Sequence, residues 1–188
     1  VVVAPGAYDG MSARLVAAAG FPAVYASGGA IARAAGYPDI GLLSFTEVMD
    51  RVEKIVDASG LPVVADADTG FGGSANVERT VRIMERAGVA AFHIEDQSFP
   101  KRCGHLDGKN VVDTATATKR IKAAVKGRRD ENFVICARTD ARAGEGLDAA
   151  IERAKAYIDA GADMIFPEAM RDLGEFETFA QAVDVPIL

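Results

Sequence analysis

The chain has 188 residues, 49% hydrophobic and 26% charged, a balance that suits one folded globular domain and excludes a disordered segment. Its formal net charge of −6 gives no basic footprint for nucleic acid or an anionic membrane surface, so an anionic ligand needs cations gathered locally. Two cysteines make no disulfide framework; reduced thiols, and no apolar run long enough to span a bilayer, point to the cytoplasm.

The chain begins without Met and inside an apolar run, so residues before Val1 are expected and a targeting segment stays open. In chain order, residues 1–4 read as a strand and 10–19 as a helix ended by Gly20. A strand over 23–26 and a helix over 45–58 follow, then a strand over 61–66 and a helix over 76–87. The next pairs are 90–95 with 114–125, 133–138 with 147–160, and 164–167 with 173–182; residues 185–188 begin another strand. Gly20, Gly60, Gly88 and Gly161 stop four of the helices, since Gly takes the left-handed conformation without a Cβ penalty. Strands apolar throughout and separated by helices imply a parallel sheet buried on both faces. Six such βα units and a seventh strand start, without a break between halves, predict a TIM-type (β/α)8 barrel rather than a doubly wound sheet. A complete barrel takes about 250 residues. Residues 1–188 therefore read as a single barrel domain whose C-terminal part is missing from this chain.

In such barrels the chemistry gathers at the C-terminal ends of the strands. Those ends carry Tyr25 with Ser27-Gly28-Gly29, Asp66 with Asp68, Glu95-Asp96, Arg138 with Asp140, and Glu168. Asp66 and Asp68 point the same way on an extended backbone. With Glu95 beside them they repel unless a cation lies between them. Carboxylate oxygens are hard ligands and no Cys/His cluster calls for zinc, so Mg²⁺ fits best, with Mn²⁺ as the alternative. For either aspartate alone, a turn cap or a lysine partner is an equally good account. Ser27-Gly28-Gly29 lets backbone N–H groups approach a carboxylate, and is equally an ordinary βα turn. Gly70-Phe71-Gly72-Gly73 reads as a turn, and Pro38-Asp39 is a common turn pair.

The most distinctive stretch is Pro100-Lys101-Arg102-Cys103-Gly104-His105-Leu106-Asp107-Gly108-Lys109, in a long connection after the fourth strand. A thiol among Lys101, Arg102 and His105 is in a setting that favours thiolate and suits proton transfer near neutrality. A Cys–His metal pair, a nucleophile and a solvated basic loop are the other accounts. Cys136, in an apolar run, reads as a core thiol. The basic run from Lys119 to Arg129 has apolar positions at helical spacing and reads as a solvated helix face without a ligand role.

The segment Lys101-Arg102-Cys103-Gly104-His105 resembles the cysteine-loop motif of the isocitrate lyase and phosphoenolpyruvate mutase superfamily. Pro5-Gly6-Ala7-Tyr8-Asp9, Tyr25-Ala26-Ser27-Gly28-Gly29, Asp66-Ala67-Asp68-Thr69-Gly70-Phe71-Gly72, Ile94-Glu95-Asp96-Gln97, Ala137-Arg138-Thr139-Asp140 and Glu168-Ala169 match it in order. Within it the chain resembles methylisocitrate and 2,3-dimethylmalate lyases; Leu106-Asp107-Gly108-Lys109, where methylisocitrate lyases tend to have Arg-Pro-Asn-Lys, tilts the resemblance toward lyases of simpler malates. It implies an α/β barrel, Mg²⁺, small anionic carboxylate substrates and a homotetramer that exchanges C-terminal helices, with no nucleic acid or membrane partner. By position it implies metal ligation by Asp66, Asp68 and Glu95, and carboxylate binding by Tyr25, Ser27, Gly28 and Gly29. Asp39 would lie near the metal's waters and Gly104 beside the substrate. Arg138 and Glu168 would line the site, and Lys101, Cys103 and His105 belong to a gating loop.

The reaction implied is Mg²⁺-dependent carbon–carbon cleavage of a 2-hydroxy di- or tricarboxylate, giving an α-keto acid such as pyruvate and a carboxylate. A metal-linked carboxylate or Tyr25 would take the hydroxyl proton, and Cys103 would protonate the carbanion. Phosphonomutase chemistry on a carboxyphosphonoenolpyruvate-type substrate, and hydrolysis or decarboxylation of oxaloacetate, are the rivals on the same scaffold. A non-catalytic dicarboxylate-binding barrel is the rival of another class.

Overall fold

The structure, a computed structural model, describes residues 1–104, 106 and 108–188. Its elements run β1 (Gly6–Ala7), α1 (Gly10–Ala18), β2 (Val24–Ala26), α2 (Gly28–Ala34), α3 (Phe45–Ser59), β3 (Val63–Asp66), α4 (Ser74–Arg86) and β4 (Ala91–Glu95). They continue with α5 (Thr114–Gly127), β5 (Val134–Thr139), α6 (Ala141–Glu145), α7 (Leu147–Asp159), β6 (Met164–Pro167) and α8 (Leu173–Ala182). Every strand pairs in parallel with the next, in the order β1-β2-β3-β4-β5-β6. A doubly wound sheet reverses its strand order at a switch point; this one never does, and it follows the expected TIM-type barrel. Residues 186–188 run on beside β6, where a seventh strand start was expected: the Ile165 N–H donates to the Pro186 carbonyl and the Leu188 N–H to that of Ile165.

The strand register decides which side chains meet. Asp66 pairs with His93, His93 with Cys136, Glu95 with Arg138 and Arg138 with Phe166. Side chains alternate between faces along a strand. The polar residues of β3, β4 and β5 therefore share the barrel interior with Phe166 of β6, while Ala65, Phe92, Ile94, Ile135, Ala137 and Ile165, all buried, face the helices. Burying side chains of the size of Ile and Phe stabilises by roughly 1.5–3 kcal/mol each, so the outward layer holds the barrel and frees the inner one for chemistry.

One expectation needs correction, and two short helices went unread. Residues 1–4 form no strand; Val1, Val2 and Val3 are exposed and the strand begins at Gly6. Pro5 has no N–H for a ladder, although its carbonyl accepts from Tyr25. Ser27-Gly28-Gly29 is not a plain turn: Ser27 caps α2 and accepts from the Ala30 N–H at 3.3 Å. Its two glycines are weak helix formers, which hid the helix. Helix α6 was also missed, since five residues are too few to show a period. Among the described residues, no helix is long and apolar enough to cross a membrane.

Gly127, the last residue of α5, lies against α4. A Cβ there would come 2.8 Å from the Glu78 carbonyl oxygen and 2.9 Å from its Cα. Both are backbone atoms and cannot swing away. Gly127→Ala gains at most about 1 kcal/mol of helix propensity, against about 1–3 kcal/mol for overpacking. The expected result is net destabilisation, read as a lower midpoint in urea. A second check concerns Glu175, in the first turn of α8. Its bonds from Arg142, then from the Arg171 N–H, bring its carboxyl down to about 2. A carboxyl held low in the folded state contributes above its unfolded pKa and is lost as pH falls toward the folded one. Glu175→Gln should therefore flatten the fall in melting temperature between about pH 4.5 and pH 2, with its deficit against the native protein largest above that window and gone at its lower end.

Candidate active site and metal centre

Strand β3 delivers Asp66, the turn after it Asp68, and β4 Glu95. One ligand atom from each lies within 4.8 Å of the other two. Asp68 stands at a positive φ of 45°, unusual for a residue with a Cβ. Its N–H donates to Asp66 Oδ1 at 3.0 Å, and its carbonyl accepts from the Glu95 N–H at 2.9 Å. The backbone thus ties the three acids together. Burial and the charge of Asp66 push the Asp68 carboxyl up to about 6. Burial raises Glu95 far above the carboxylate range, despite Arg138 nearby.

These residues fit a divalent cation. Both Glu95 oxygens are buried and accept no hydrogen bond from the described residues, with Arg138 Nε 3.5 Å from Oε2. Among the described residues and their ion pairs, Asp39, Asp66, Asp68, Glu95, Asp140 and Glu168 also outnumber the cations Lys101, Lys109 and Arg138 that meet them. Oxygen-only donors with unmatched negative charge are what a hard ion requires.

The other expected residues assemble around this cluster. Lys101, buried, pairs with Asp68 at 2.6 Å and also with Asp39, so Asp39 belongs to the site and is more than a turn residue. Lys101 thereby faces the acids. Gly28 and Gly29 make room: a Cβ would lie 2.7 Å from Asp66 Oδ2 at the first and 2.8 Å from Asp39 Oδ2 at the second. Arg138 binds Asp140 through two bonds of 3.0 Å and reaches Glu168 at 3.1 Å. Its guanidinium stacks 5.1 Å from the Phe166 ring centre. Gly104 is pressed against Arg138 and Glu168, and Lys109 reaches back to donate to the Gly104 carbonyl. Half-buried Cys103 is held between Lys101 and Gly104, both of which touch the site. His105 lies outside the described residues. A cavity of about 510 Å³ opens beside the cluster, lined by Leu43, Phe45, Asp68, Phe71, Lys101 and Arg120 among others. Cys136 is buried and its thiol pushed up by burial, the inert core residue expected.

Several residues around the cluster were not expected from the sequence. His93 Nε2 lies 2.6 Å from the Tyr25 hydroxyl and 3.7 Å from Asp66, and burial brings the imidazole down to about 4. It is neutral at neutral pH. Its place two residues before Glu95 was the available signal. Asp96 accepts from Thr139 Oγ1 at 2.7 Å, the Asp140 N–H at 2.9 Å and the Tyr157 hydroxyl at 2.8 Å. It thereby fixes the turn that presents Asp140 to Arg138. The basic run was misread in part. Lys119, Lys122, Lys126 and Arg129 are exposed as expected, but Arg120 is half-buried and bonds to the end of β4. Arg128 pairs with Asp163 at 2.6 Å.

A profile of the phosphoenolpyruvate phosphomutase family matches residues 1–188. The chain belongs to this family. Within the wider superfamily it is similar to a probable 2-methylisocitrate lyase of Corynebacterium glutamicum, 57% identical over 184 residues. That match covers 98% of this chain and 60% of the relative, so the chain spans about 60% of the length of this curated relative. The crystal structure of a 2,3-dimethylmalate lyase superposes with a TM-score of 0.96 at 42% identity, covering 99% of this chain and 64% of that one. A phosphonopyruvate hydrolase bound to oxalate and Mg²⁺ superposes at 0.89 and 32% identity, covering 100% of this chain and 66% of that one. The register that joins Asp66, Glu95 and Arg138 is therefore set in a fold this family shares.

Proposed function

We propose that this chain carries the site of a carbon–carbon lyase that uses Mg²⁺, or Mn²⁺, to cleave a 2-hydroxy di- or tricarboxylate of the 2-methylisocitrate or substituted-malate type. The observation that carries the reading is the cysteine-bearing loop lying against Arg138 and Glu168, with the acidic cluster beside it. The relatives named 2-methylisocitrate lyase and 2,3-dimethylmalate lyase support it.

Asp66, Asp68 and Glu95 would hold the cation, and Gly28 and Gly29 leave the space beside them. When bound, it supplies Lewis-acid polarisation of the substrate's 2-oxygen and adjacent carboxylate. Burial, then the charge of Asp66, raises the Tyr25 phenol when no cation offsets that charge. A carboxylate of the cluster, or Tyr25 with the cation in place, takes the proton of the 2-hydroxyl. The C2–C3 bond breaks; its electrons leave C2 as a ketone and pass into the carboxylate fragment as an enolate. Arg138 stabilises that charge. The Cys103 thiol then gives its proton to the enolate carbon, and the thiolate is reprotonated from solvent. The loop excludes water while the enolate exists.

The test is pyruvate release by the full-length protein with Mg²⁺ from 2-methylisocitrate, 2,3-dimethylmalate and other substituted malates. Turnover of any of these supports the reading. Turnover confined to oxaloacetate or to a phosphonate would replace it with a hydrolase or a mutase, and cation binding without turnover would leave a binding barrel. The homotetramer belongs to the same proposal and is checked by light scattering.

A further inference from the structure

We propose that Arg120 is a positioning residue that sets both the metal-facing carboxylate of Glu95 and the root of the Cys103 loop. The inference rests on the cation site proposed above.

Strand pairing between β3 and β4 ends at Asp66 and His93, while β4 stays paired with β5 as far as Glu95 and Arg138. On its β3 side the Glu95 carbonyl lies past the ladder and needs another donor, because buried carbonyls require one. Arg120 provides it from α5. Its Nη1 donates to the Glu95 carbonyl at 2.9 Å and to the Gln97 carbonyl at 2.8 Å. The Glu95 N–H is held by the Asp68 carbonyl at 2.9 Å. The backbone on both sides of the Glu95 Cα is therefore fixed, by a second acid of the cluster on one side and by Arg120 on the other. Glu95's own carboxylate has no hydrogen-bond donor among the described residues to orient it. Apart from the Arg138 charge 3.5 Å away, its direction is set through its backbone.

Gln97 carries the second half of the role. Its side chain donates to the Arg102 carbonyl and accepts from the Arg102 N–H, both at 2.9 Å. Those two bonds anchor the loop one residue before Cys103. A single guanidinium nitrogen thus spans the peptides that present the metal residue and the loop anchor. Burial works against the Arg120 charge, and Asp96 and Glu95 favour it. An arginine on a solvated face would meet none of these groups.

The experiment uses the full-length protein. Mn²⁺ alone is titrated by electron paramagnetic resonance without substrate, and kcat and KM are measured with Mg²⁺. Groups that orient metal ligands typically change metal affinity about 10- to 100-fold when removed. Arg120→Gln should weaken Mn²⁺ binding by about 10-fold and lower kcat by at least as much. Arg120→Lys keeps a charged donor without the planar fork and should weaken both measurably, but less than Arg120→Gln. Arg128→Gln is the control: it breaks the two bonds that the residue just after the same helix makes to the Phe133 carbonyl and to Asp163. It should lower the melting temperature and leave Mn²⁺ affinity and kcat unchanged. The proposal is overturned if Arg120→Gln keeps Mn²⁺ affinity and kcat within two-fold of the native protein, or if Arg128→Gln loses both equally. Should Arg120→Gln not fold, Arg120→Lys decides: partial weakening of Mn²⁺ binding at an unchanged melting temperature supports it, and native affinity refutes it. A native protein that binds no Mn²⁺ would instead sink the cation site itself.

Discussion

Cys103→Ser should lower turnover by about 10²- to 10⁴-fold, the span typical of a positioned general acid, while Mg²⁺ binding and stability persist. Asp66, Asp68 and Glu95 come from β3, the turn after it and β4, and none depends on the loop for its backbone position. Sulfur and oxygen differ little in size here, so the loop can still close. What changes is acidity: a hydroxyl gives up its proton far less readily than a thiol. Bond cleavage and protonation are separate steps, which allows a sharper reading. In D₂O with the carboxylate product alone, the native enzyme should exchange a C–H for deuterium, and Cys103→Ser should not. Unchanged turnover in the variant would remove the thiol from the mechanism.

Gly104→Ala should cost about 10²-fold in kcat by a different route. A Cβ at this position would overlap the Arg138 guanidinium and the Glu168 carboxylate. Neither can give way easily. Arg138 is buried, gripped by Asp140 through two bonds, and stacked on Phe166. The loop must lift instead, and a displacement of roughly 1 Å can cost about 10²-fold when groups must be in line. Mg²⁺ affinity should hold, because the acids lie below the loop on the barrel. Lys101 would be pulled from Asp39 and Asp68, so tryptic cleavage after Lys101 or Arg102 should quicken. A variant with native kcat would show that the seated loop is not the working state.

Both predictions rest on contacts that a sequence shows unequally. The helices and strands were legible because apolar periodicity and glycine stops are local signals: α7, β6 and α8 fall where the pattern places them, within a residue or so. The acidic trio was legible for a similar reason, since acids at strand ends of a parallel barrel have one mouth to share. Short helices such as α2 and α6 were not, because Gly28 and Gly29 serve the site at the expense of helix propensity and α6 is too brief to repeat. Arg120 was misread because its basic neighbours are indeed exposed.

The sequence by itself determined that the strands are parallel and buried, that their ends carry the ionisable groups, and that a cysteine loop follows the fourth. These are consequences of periodicity and spacing along one chain. Only the tertiary structure decided which charges pair: that Lys101 serves Asp39 and Asp68, that His93 sits neutral beside Tyr25, and that Arg138 is held by Asp140. Register across strands and the direction of long side chains set those pairings, and neither leaves a mark on the order of residues.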